Sequence, residues 1–495
     1  MPGSEQIAPS PTLSSASPGD GGLRRADDPS PRARLVPVAL TLLSLVLGLV
    51  TLGGKPLWDD EAFSAMAARL SWGELWTLST TRDPHMFAYN GFLKIWTGIG
   101  GSGEWWLRLP SALAGALAVG VLWLIASRLA GPRVAALAAG LLAVSTTLVQ
   151  YQQEARPYAF GVLGVSVAVL LLVRAVQNGG FGRWVGYGVV AGLTVYTHPM
   201  SVVAALAVAP AALALPRIPW RGLLTAVGIA VVIAGPQLFL MLTTPTPSMW
   251  DWVPGTDAYH LAGAAYLLSG HSGPVGLAIV GVLVAAFVVL VLRRRPSFLN
   301  LLALLWAIGL PLAVVAGSLV RPMLVSRYLL PAMPGVFLCC ALVLVRFGRP
   351  LVTGVVAAAL VGTSVVSLLG WYSGGDKDDW RAAVASVAAQ ARPGDGIILT
   401  RDHREPFAYY WEQTANPAVL EPVSPARPWG SPIPATNAQP DVADPSAAIA
   451  GHSRLWVLYI EPEGLPESLS RPLDAAYGAP QRELVTRVAV LLYSR

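Results

Sequence analysis

The stretch LVPVALTLLSLVLGLVTLGG at residues 35–54, followed at once by KPLWDDEAF at 55–63, decides how this chain is read. A bilayer core needs about 20 apolar residues per helix, and the run from Leu35 to Leu52 carries no charge, so it is expected to span a membrane. Gly53-Gly54 closes the run and Asp59-Asp60-Glu61 stands just outside it. Carboxylates beside a span are costly if drawn into hydrocarbon, which makes such a triplet a functional candidate. The plainer reading is an acidic helix start, with Asp as N-cap and negative charge favoured by the helix dipole.

The same apolar signature recurs outward from this point. Runs near 35–53, 110–130, 133–150, 157–176, 184–197, 200–216, 221–242, 274–292, 298–319, 328–346 and 350–371 predict about 11 transmembrane helices. Only 13% of the 495 residues are charged, half the usual share of a soluble domain, so a water-soluble globule is excluded. The net charge of +6 is spread singly or in short groups between apolar runs, with no basic tract interleaved with aromatics, and nucleic acid is not an expected partner. Cys339 and Cys340 are neighbours inside an apolar run and offer neither a staple nor metal spacing.

Residues 1–34, rich in Pro, Ser, Gly and charge, are expected to form a disordered tail. With that tail in the cytoplasm, alternate junctions carry Arg128 and Arg133, Arg174 and Arg183, Arg217 and Arg221, Arg293 to Arg295, and Arg346 with Arg349, as the positive-inside rule requires. The first outer loop, 54–109, and the segment 376–495 then lie outside the cytoplasm. Within the loop, Ala62 to Leu78 has a helical period, and Trp72, Trp76, Trp96, Trp105 and Trp106 suit helices lying in the membrane interface. A second long outer loop, 243–272, holds Trp250-Asp251-Trp252 and His260. From about 376 the composition becomes that of a soluble protein: a helix over Asp379 to Ala391, helical Phe407 to Trp411, a Pro-rich loop over 416–450, and strands at 396–399, 455–460 and 488–493 predict a small α/β domain. The domain plan is therefore a tail at 1–34, a membrane domain at 35–371 and an extracytoplasmic α/β domain at 376–495.

Several outer junctions add chemistry to the acidic triplet. Asp83 and His85 follow in the same loop, and Gln153-Glu154-Ala155-Arg156-Pro157-Tyr158 joins two spans. A carboxylate can take a proton from a hydroxyl, arginine pairs with phosphate oxygens, and Asp/His clusters can hold a divalent cation. His198, in the Val195 to Pro199 turn, and Arg327-Tyr328 at a span start are expected to line the same cavity, the alternatives being a hydrogen-bonded turn residue and a snorkelling cation.

In order, Trp58-x-Asp60-Glu61, Asp83-x-His85-Met86, Arg108-Leu109-Pro110-Ser111, Gln153-Glu154-Ala155-Arg156-Pro157-Tyr158-Ala159 and Ser326-Arg327-Tyr328-Leu329-Leu330-Pro331 resemble the motifs of bacterial polytopic glycosyltransferases of the GT-C fold. That group is related to protein O-mannosyltransferases and to the aminoarabinose transferases that modify lipid A. The resemblance spans roughly 35 to 371 and implies transfer of a sugar, mannose foremost, from a polyprenyl-phosphate carrier to a hydroxyl of a glycan, lipid or protein at the outer face of a bacterial cell membrane, with inversion. It implies Asp60 as general base with Glu61 beside it as the catalytic pair, and Asp59, Asp83 and His85 as acceptor- or metal-positioning groups. Arg156, Arg327 and Tyr158 fall at the donor phosphate, with Glu154, His198 and Tyr328 lining the cavity. A cation such as Mg or Mn would be held by Asp60, Asp83 and His85. The sequence departs from many members after the histidine, where Met86-Phe87-Ala88-Tyr89-Asn90 replaces two prolines and paired aromatics. The rival readings are a polytopic transporter or flippase, which predicts paired broken spans in two related halves, and a ligase of lipid-linked glycans using the same outer site.

Overall fold

Hydropathy sets the framework and close backbone approach sets the packing. The computed structural model describes residues 35–244, 253–293, 296–374, 377–400, 403–424, 429, 445–461 and 463–495. The expected tail at 1–34, Trp250-Asp251-Trp252, and most of the Pro-rich loop fall outside the described residues.

The first helices are α1 (Leu35–Leu49), α2 (Asp59–Ala67), α3 (Trp72–Thr81), α4 (Phe87–Gly100), α5 (Glu104–Ala130), α6 (Pro132–Ala143) and α7 (Thr146–Gln152). They are followed by α8 (Tyr158–Asn178), α9 (Phe181–Leu193), α10 (Pro199–Ala207), α11 (Trp220–Thr243), α12 (Ala258–Leu268), α13 (Gly273–Arg293), α14 (Phe298–Ser318), α15 (Met333–Phe347) and α16 (Pro350–Ser373). Among the described residues, seven helical stretches are long and apolar enough to cross a membrane: α5, α8, α11, α13, α14, residues 326–347 and α16. The pair α6 and α7, bent by 57° between Ala143 and Thr146, makes an eighth if it counts as one span. Four of the 11 expected spans are thus short or broken: α1 has 15 residues, α9 has 13, the run at 200–216 divides into α10 and a 3-10 turn, and 133–150 is the bent pair. Large apolar side chains such as Val232, Leu292 and Val366 project outward from α11, α13 and α16, as lipid-facing helices require.

Local chemistry explains the breaks. The helical period expected over Ala62 to Leu78 is interrupted because Ser71 and Glu74 form a reciprocal capping box that starts α3 afresh, Glu74 N–H donating to Ser71 Oγ and Ser71 N–H to the Glu74 carboxylate. Pro110 sits inside α5 and cannot donate to the Trp106 carbonyl four residues before it. The Trp96 indole supplies the missing donor at 2.8 Å, and Trp106 returns a bond to the Trp96 carbonyl at 3.0 Å. Their rings stack at 4.3 Å, fastening α4 to the start of α5. Further on, Gly188 and Gly192 of α9 lie against Ala226 and Ala230 of α11. A methyl on Gly188 would come within 2.5 Å of the Ala226 carbonyl oxygen and one on Gly192 within 2.9 Å of that of Ala230, the small-residue contact that lets membrane helices approach closely.

The C-terminal unit contains α17 (Trp380–Gln390), α18 (Arg404–Trp411), α19 (Ser446–Gly451) and α20 (Glu467–Tyr477) with β1 (Asp395–Leu399), β2 (Leu420–Ser424), β3 (Arg454–Ile460), β4 (Gln481–Val485) and β5 (Val488–Ser494). The sheet order is β2-β1-β3-β5-β4, with β1 parallel to β2 and β3 and the last three strands antiparallel. Strands β1, β3 and β5 are the continuous apolar runs expected from the sequence. Edge strand β4 is largely exposed and edge strand β2 mostly half-buried, and these two, with α19 and α20, carry little apolar signal in the sequence. One hydrophobic core runs from this unit into the first-loop helices: Trp380, Phe407, Tyr409 and Trp456 belong to the same buried cluster as Leu57, Ala62, Met66 and Tyr89.

Candidate functional site

Consecutive residues of an α-helix point about 100° apart, and the opening of α2 sends its three carboxylates to three different places. Asp59 faces the C-terminal unit, where its carboxylate meets His403 Nδ1 at 3.3 Å. Asp60 turns toward two arginines, with Oδ2 at 3.5 Å from Arg327 Nη2 and 3.8 Å from Arg156 Nη2. Glu61 points into the protein.

Glu61 is fully buried and accepts four hydrogen bonds: from Arg108 Nε at 2.7 Å, Arg108 Nη2 at 2.8 Å, Lys377 Nζ at 2.7 Å and the Ala155 N–H at 2.8 Å. A carboxylate has about four acceptor positions, so none is left for a substrate proton. Burial alone would push the group up, but the paired Arg108 and Lys377 hold it down to about 2. The expected catalytic pair is therefore one cavity-facing acid, Asp60, and one internal anchor, because the helical turn separates their directions.

Arg108, also buried, spends all five of its N–H donors. Beyond the two on Glu61 they go to the carbonyls of Leu52, Lys55 and Pro56 at 2.7–2.9 Å. One guanidinium thus ties the end of the first apolar run and its turn to the acidic helix. In the sequence Arg108 stands inside a motif with no role of its own, and neither Lys377 nor His403 stands out. The available signals were an arginine at the start of an apolar run and one of only three lysines in the chain.

Around Asp60 the remaining candidates gather. Arg156 is held from behind: its Nη1 donates to the Asp60 carbonyl at 3.1 Å and to Ser64 Oγ at 3.0 Å, while Ser111 Oγ donates to the Arg156 carbonyl. Its buried Nε has no hydrogen-bond partner among the described residues. Arg156 lies over the Tyr158 ring at 5.8 Å, and Arg327 lies over Trp58 at 5.6 Å and Tyr328 at 5.9 Å. Tyr158, His198, Arg327 and Tyr328 line a small cavity with Ser201 and Pro331. His198 accepts the Met200 N–H at Nδ1, 3.2 Å away. Burial holds His198 well below the usual histidine range, and the nearby His85 and arginines add to the effect. The neutral ring therefore carries its proton on Nε2.

Asp83 and His85 form a pair, His85 Nδ1 lying 2.9 Å from Asp83 Oδ1. Burial would raise Asp83, but His85, with help from Arg156, keeps it below the ordinary aspartate value. The His85 ring faces His198 at 6.1 Å, which brings the pair to the same cavity. Glu154 is buried with Oε2 unpartnered, and burial pushes its carboxyl up to about 7.

Two expected groupings are not assembled. Among the described residues no set of three or more His, Cys, Asp or Glu side chains is gathered for a metal ion. Asp60, Asp83 and His85 thus do not form a ligand set: Asp60 is turned to the arginines and His85 to Asp83. Asp59 belongs with His403 rather than with the cavity. His403 is itself bonded on its other side to Glu463, Nε2 to Oε2 at 3.2 Å. Burial would lower this histidine, but its two carboxylate partners raise it to about 9.

Comparison with known proteins agrees with this architecture. Residues 83–250, about a third of the chain, match the family described as dolichyl-phosphate-mannose-protein mannosyltransferase. No curated protein matches in sequence. The fold is similar to ArnT from Cupriavidus metallidurans bound to undecaprenyl phosphate, with a TM-score of 0.60 and 15% identity, covering 92% of this chain and 97% of that one. The same ArnT in the apo state gives 0.59 at 15% identity over 94% and 98% of the two chains. An oligosaccharyltransferase from Archaeoglobus fulgidus, tethered to an acceptor peptide, gives 0.52 at 12% identity over 93% of this chain and 74% of that one. The chain thus shares the fold of ArnT and of the archaeal oligosaccharyltransferase, and its residues 83–250 are similar to the mannosyltransferase family.

Proposed function

We propose that this chain is a membrane glycosyltransferase that moves a sugar, mannose foremost, from a polyprenyl-phosphate carrier to an acceptor hydroxyl at the outer face of a bacterial cell membrane, with inversion. The observation that carries the reading is Asp60, a partly exposed carboxylate at the meeting point of Arg156 and Arg327, with Arg156 bonded from behind to the Asp60 carbonyl and Ser64 Oγ. ArnT has been captured with undecaprenyl phosphate on the same fold, which supports a lipid phosphate as the anion these arginines meet.

The chemistry follows from the charges. The acceptor hydroxyl gives its proton to the Asp60 carboxylate as its oxygen bonds to the anomeric carbon. The bond from that carbon to the carrier phosphate breaks, and its electron pair stays on the phosphate oxygen. The leaving group goes from a phosphodiester monoanion to a phosphate monoester dianion, so charge grows where two guanidiniums stand. Fixed cations aimed at developing charge lower the barrier without reorganising. Entry of a phosphate between Arg156 and Arg327 competes with Asp60 for them and returns the carboxylate to use as a base. Inversion needs attack from the face opposite the leaving phosphate, which puts the acceptor on the side of Asp60 away from the arginines. Tyr158 shapes the phosphate side beneath Arg156. His85, oriented by Asp83, and His198 Nε2–H supply hydrogen bonds to sugar or acceptor hydroxyls across the cavity. Residues able to bind a divalent cation in pairs are Asp83 with His85; no step is assigned to a metal.

The test is a panel of labelled polyprenyl-phosphate sugars incubated with the purified full-length protein in lipid. Wild type is expected to transfer at least one, and Asp60→Asn to lose transfer while keeping its melting temperature. Equal transfer by the two proteins overturns the base assignment. Vectorial movement of the intact lipid with no new glycosidic bond identifies a flippase instead.

A further inference from the structure

The C-terminal unit holds the start of the acidic helix from several directions, and the contacts concentrate on the turn that carries Asp60. His403, at the entrance to α18, is 4% exposed and sits between Asp59 Oδ1 at 3.3 Å and Glu463 Oε2 at 3.2 Å. An imidazole facing carboxylate oxygens at both nitrogens donates from both. The Trp380 ring packs against it at 5.4 Å and limits its tilt. Beside it, the Tyr410 hydroxyl accepts the Leu57 N–H at 2.7 Å, two residues before α2 begins. At the far end, Arg69 just past α2 donates to Glu412 just past α18.

These contacts matter because α2 cannot fix itself. It has nine residues and no side-chain cap at Trp58, and isolated helices shorter than about 12–15 residues are marginal. The angular position of its first turn decides whether Asp60 or a neighbour faces the arginines, since one residue of rotation is about 100°. Glu61 holds that turn from inside the protein through Arg108, Lys377 and the Ala155 N–H, and Asp59, one residue before Asp60, holds it from the side of the C-terminal unit.

We infer that the C-terminal α/β unit is a positioning element for sugar transfer, with His403 fixing the rotation of α2 by holding Asp59 so that Asp60 faces Arg156 and Arg327. His403 touches no reacting atom and acts through Asp59. The inference rests on the reading of Asp60 as the base, but its structural half can be measured without any substrate.

The experiment uses the full chain in lipid nanodiscs. His403→Ala is expected to lower kcat about 10- to 100-fold, the loss typical of a misplaced group away from the chemistry, with donor KM changed less than about twofold. Asp59→Asn should give a similar loss, and the double variant should be no worse than His403→Ala alone. Glu463→Gln keeps the Asp59 contact and should stay within about threefold of wild type. In hydrogen exchange, amides 59–67 should exchange at least about tenfold faster in His403→Ala while β1, β3 and β5 stay protected. Losses that multiply in the double variant, a Glu463→Gln effect as large as that of His403→Ala, or unchanged exchange across 59–67 each overturn the inference. If wild type transfers no sugar yet exchange across 59–67 responds as described, the function reading fails and the positioning contact stands.

Discussion

Glu61→Gln separates anchoring from chemistry at the acidic triplet. The substitution keeps shape but replaces one carboxylate oxygen by an amide nitrogen that points hydrogens at cations. Glu61 now receives two bonds from Arg108, one from Lys377 and one from the Ala155 N–H. In the variant the two cations lose their counter-charge in a site of zero exposure, and removing one partner of a buried ion pair costs about 3–5 kcal/mol. The carboxyl, drawn from 4.5 to about 2, gives a matching figure of about 3 kcal/mol at 1.36 kcal/mol for each pH unit. The sign is that of a depressed acid: the contribution is complete above pH 4.5 and disappears as pH falls toward 2. At about 2 °C per kcal/mol for a large domain, the melting temperature should drop by about 6–10 °C at pH 7, and the gap should narrow at pH 3. Scanning fluorimetry of the detergent-solubilised protein measures both, alongside transfer by the folded fraction below the transition. A variant that melts with wild type at pH 7 but transfers no sugar would refute the anchoring argument and return Glu61 to the chemistry.

Other consequences follow from single residues. Arg327→Ala should raise donor KM about 10- to 100-fold, the value of a charge-assisted bond of about 1.5–3 kcal/mol, and leave acceptor KM within about twofold; an unchanged donor KM removes Arg327 from the phosphate. Glu154, raised to about 7 by burial, contributes stability below pH 4.5 that is lost as pH rises through 7, so Glu154→Gln should melt higher than wild type at pH 8 and together with it at pH 4.5. Gly188→Leu forces a side chain into the 2.5 Å gap to the Ala226 carbonyl and should destabilise the α9–α11 contact by about 1–3 kcal/mol or more, read as a lower melting temperature; an unchanged one means that the two helices part without loss.

Signals carried by one residue and its chain neighbours were legible in the sequence. Apolar length placed the major helices, and alternating basic junctions suggested an orientation. Continuous apolar and aromatic runs at 397–399, 455–460 and 488–492 mark the central strands. The ordered motifs single out Asp60, Asp83, His85, Arg156, Arg327 and Tyr158, and in the fold Asp60 meets Arg156 and Arg327, Arg156 lies over Tyr158, and Asp83 pairs with His85. Signals that depend on a distant partner were not legible. A run such as 133–150 reads as one span until its break at Val144-Ser145 is seen, and edge strands such as β4 have too little burial to leave an apolar pattern.

The sequence by itself determined that this is a membrane protein with an α/β appendage and that acids, arginines and histidines collect at loops between spans, because hydrophobicity and charge are properties of each residue alone. Tertiary structure alone decided what each member of Asp59-Asp60-Glu61 does. Three adjacent carboxylates are equivalent in the sequence, but a helix turns each by 100°, and partners 344 residues away for Asp59 and 47 and 316 away for Glu61 take two of them. Asp60 is left facing Arg156 and Arg327, and that division depends on distances no local pattern records.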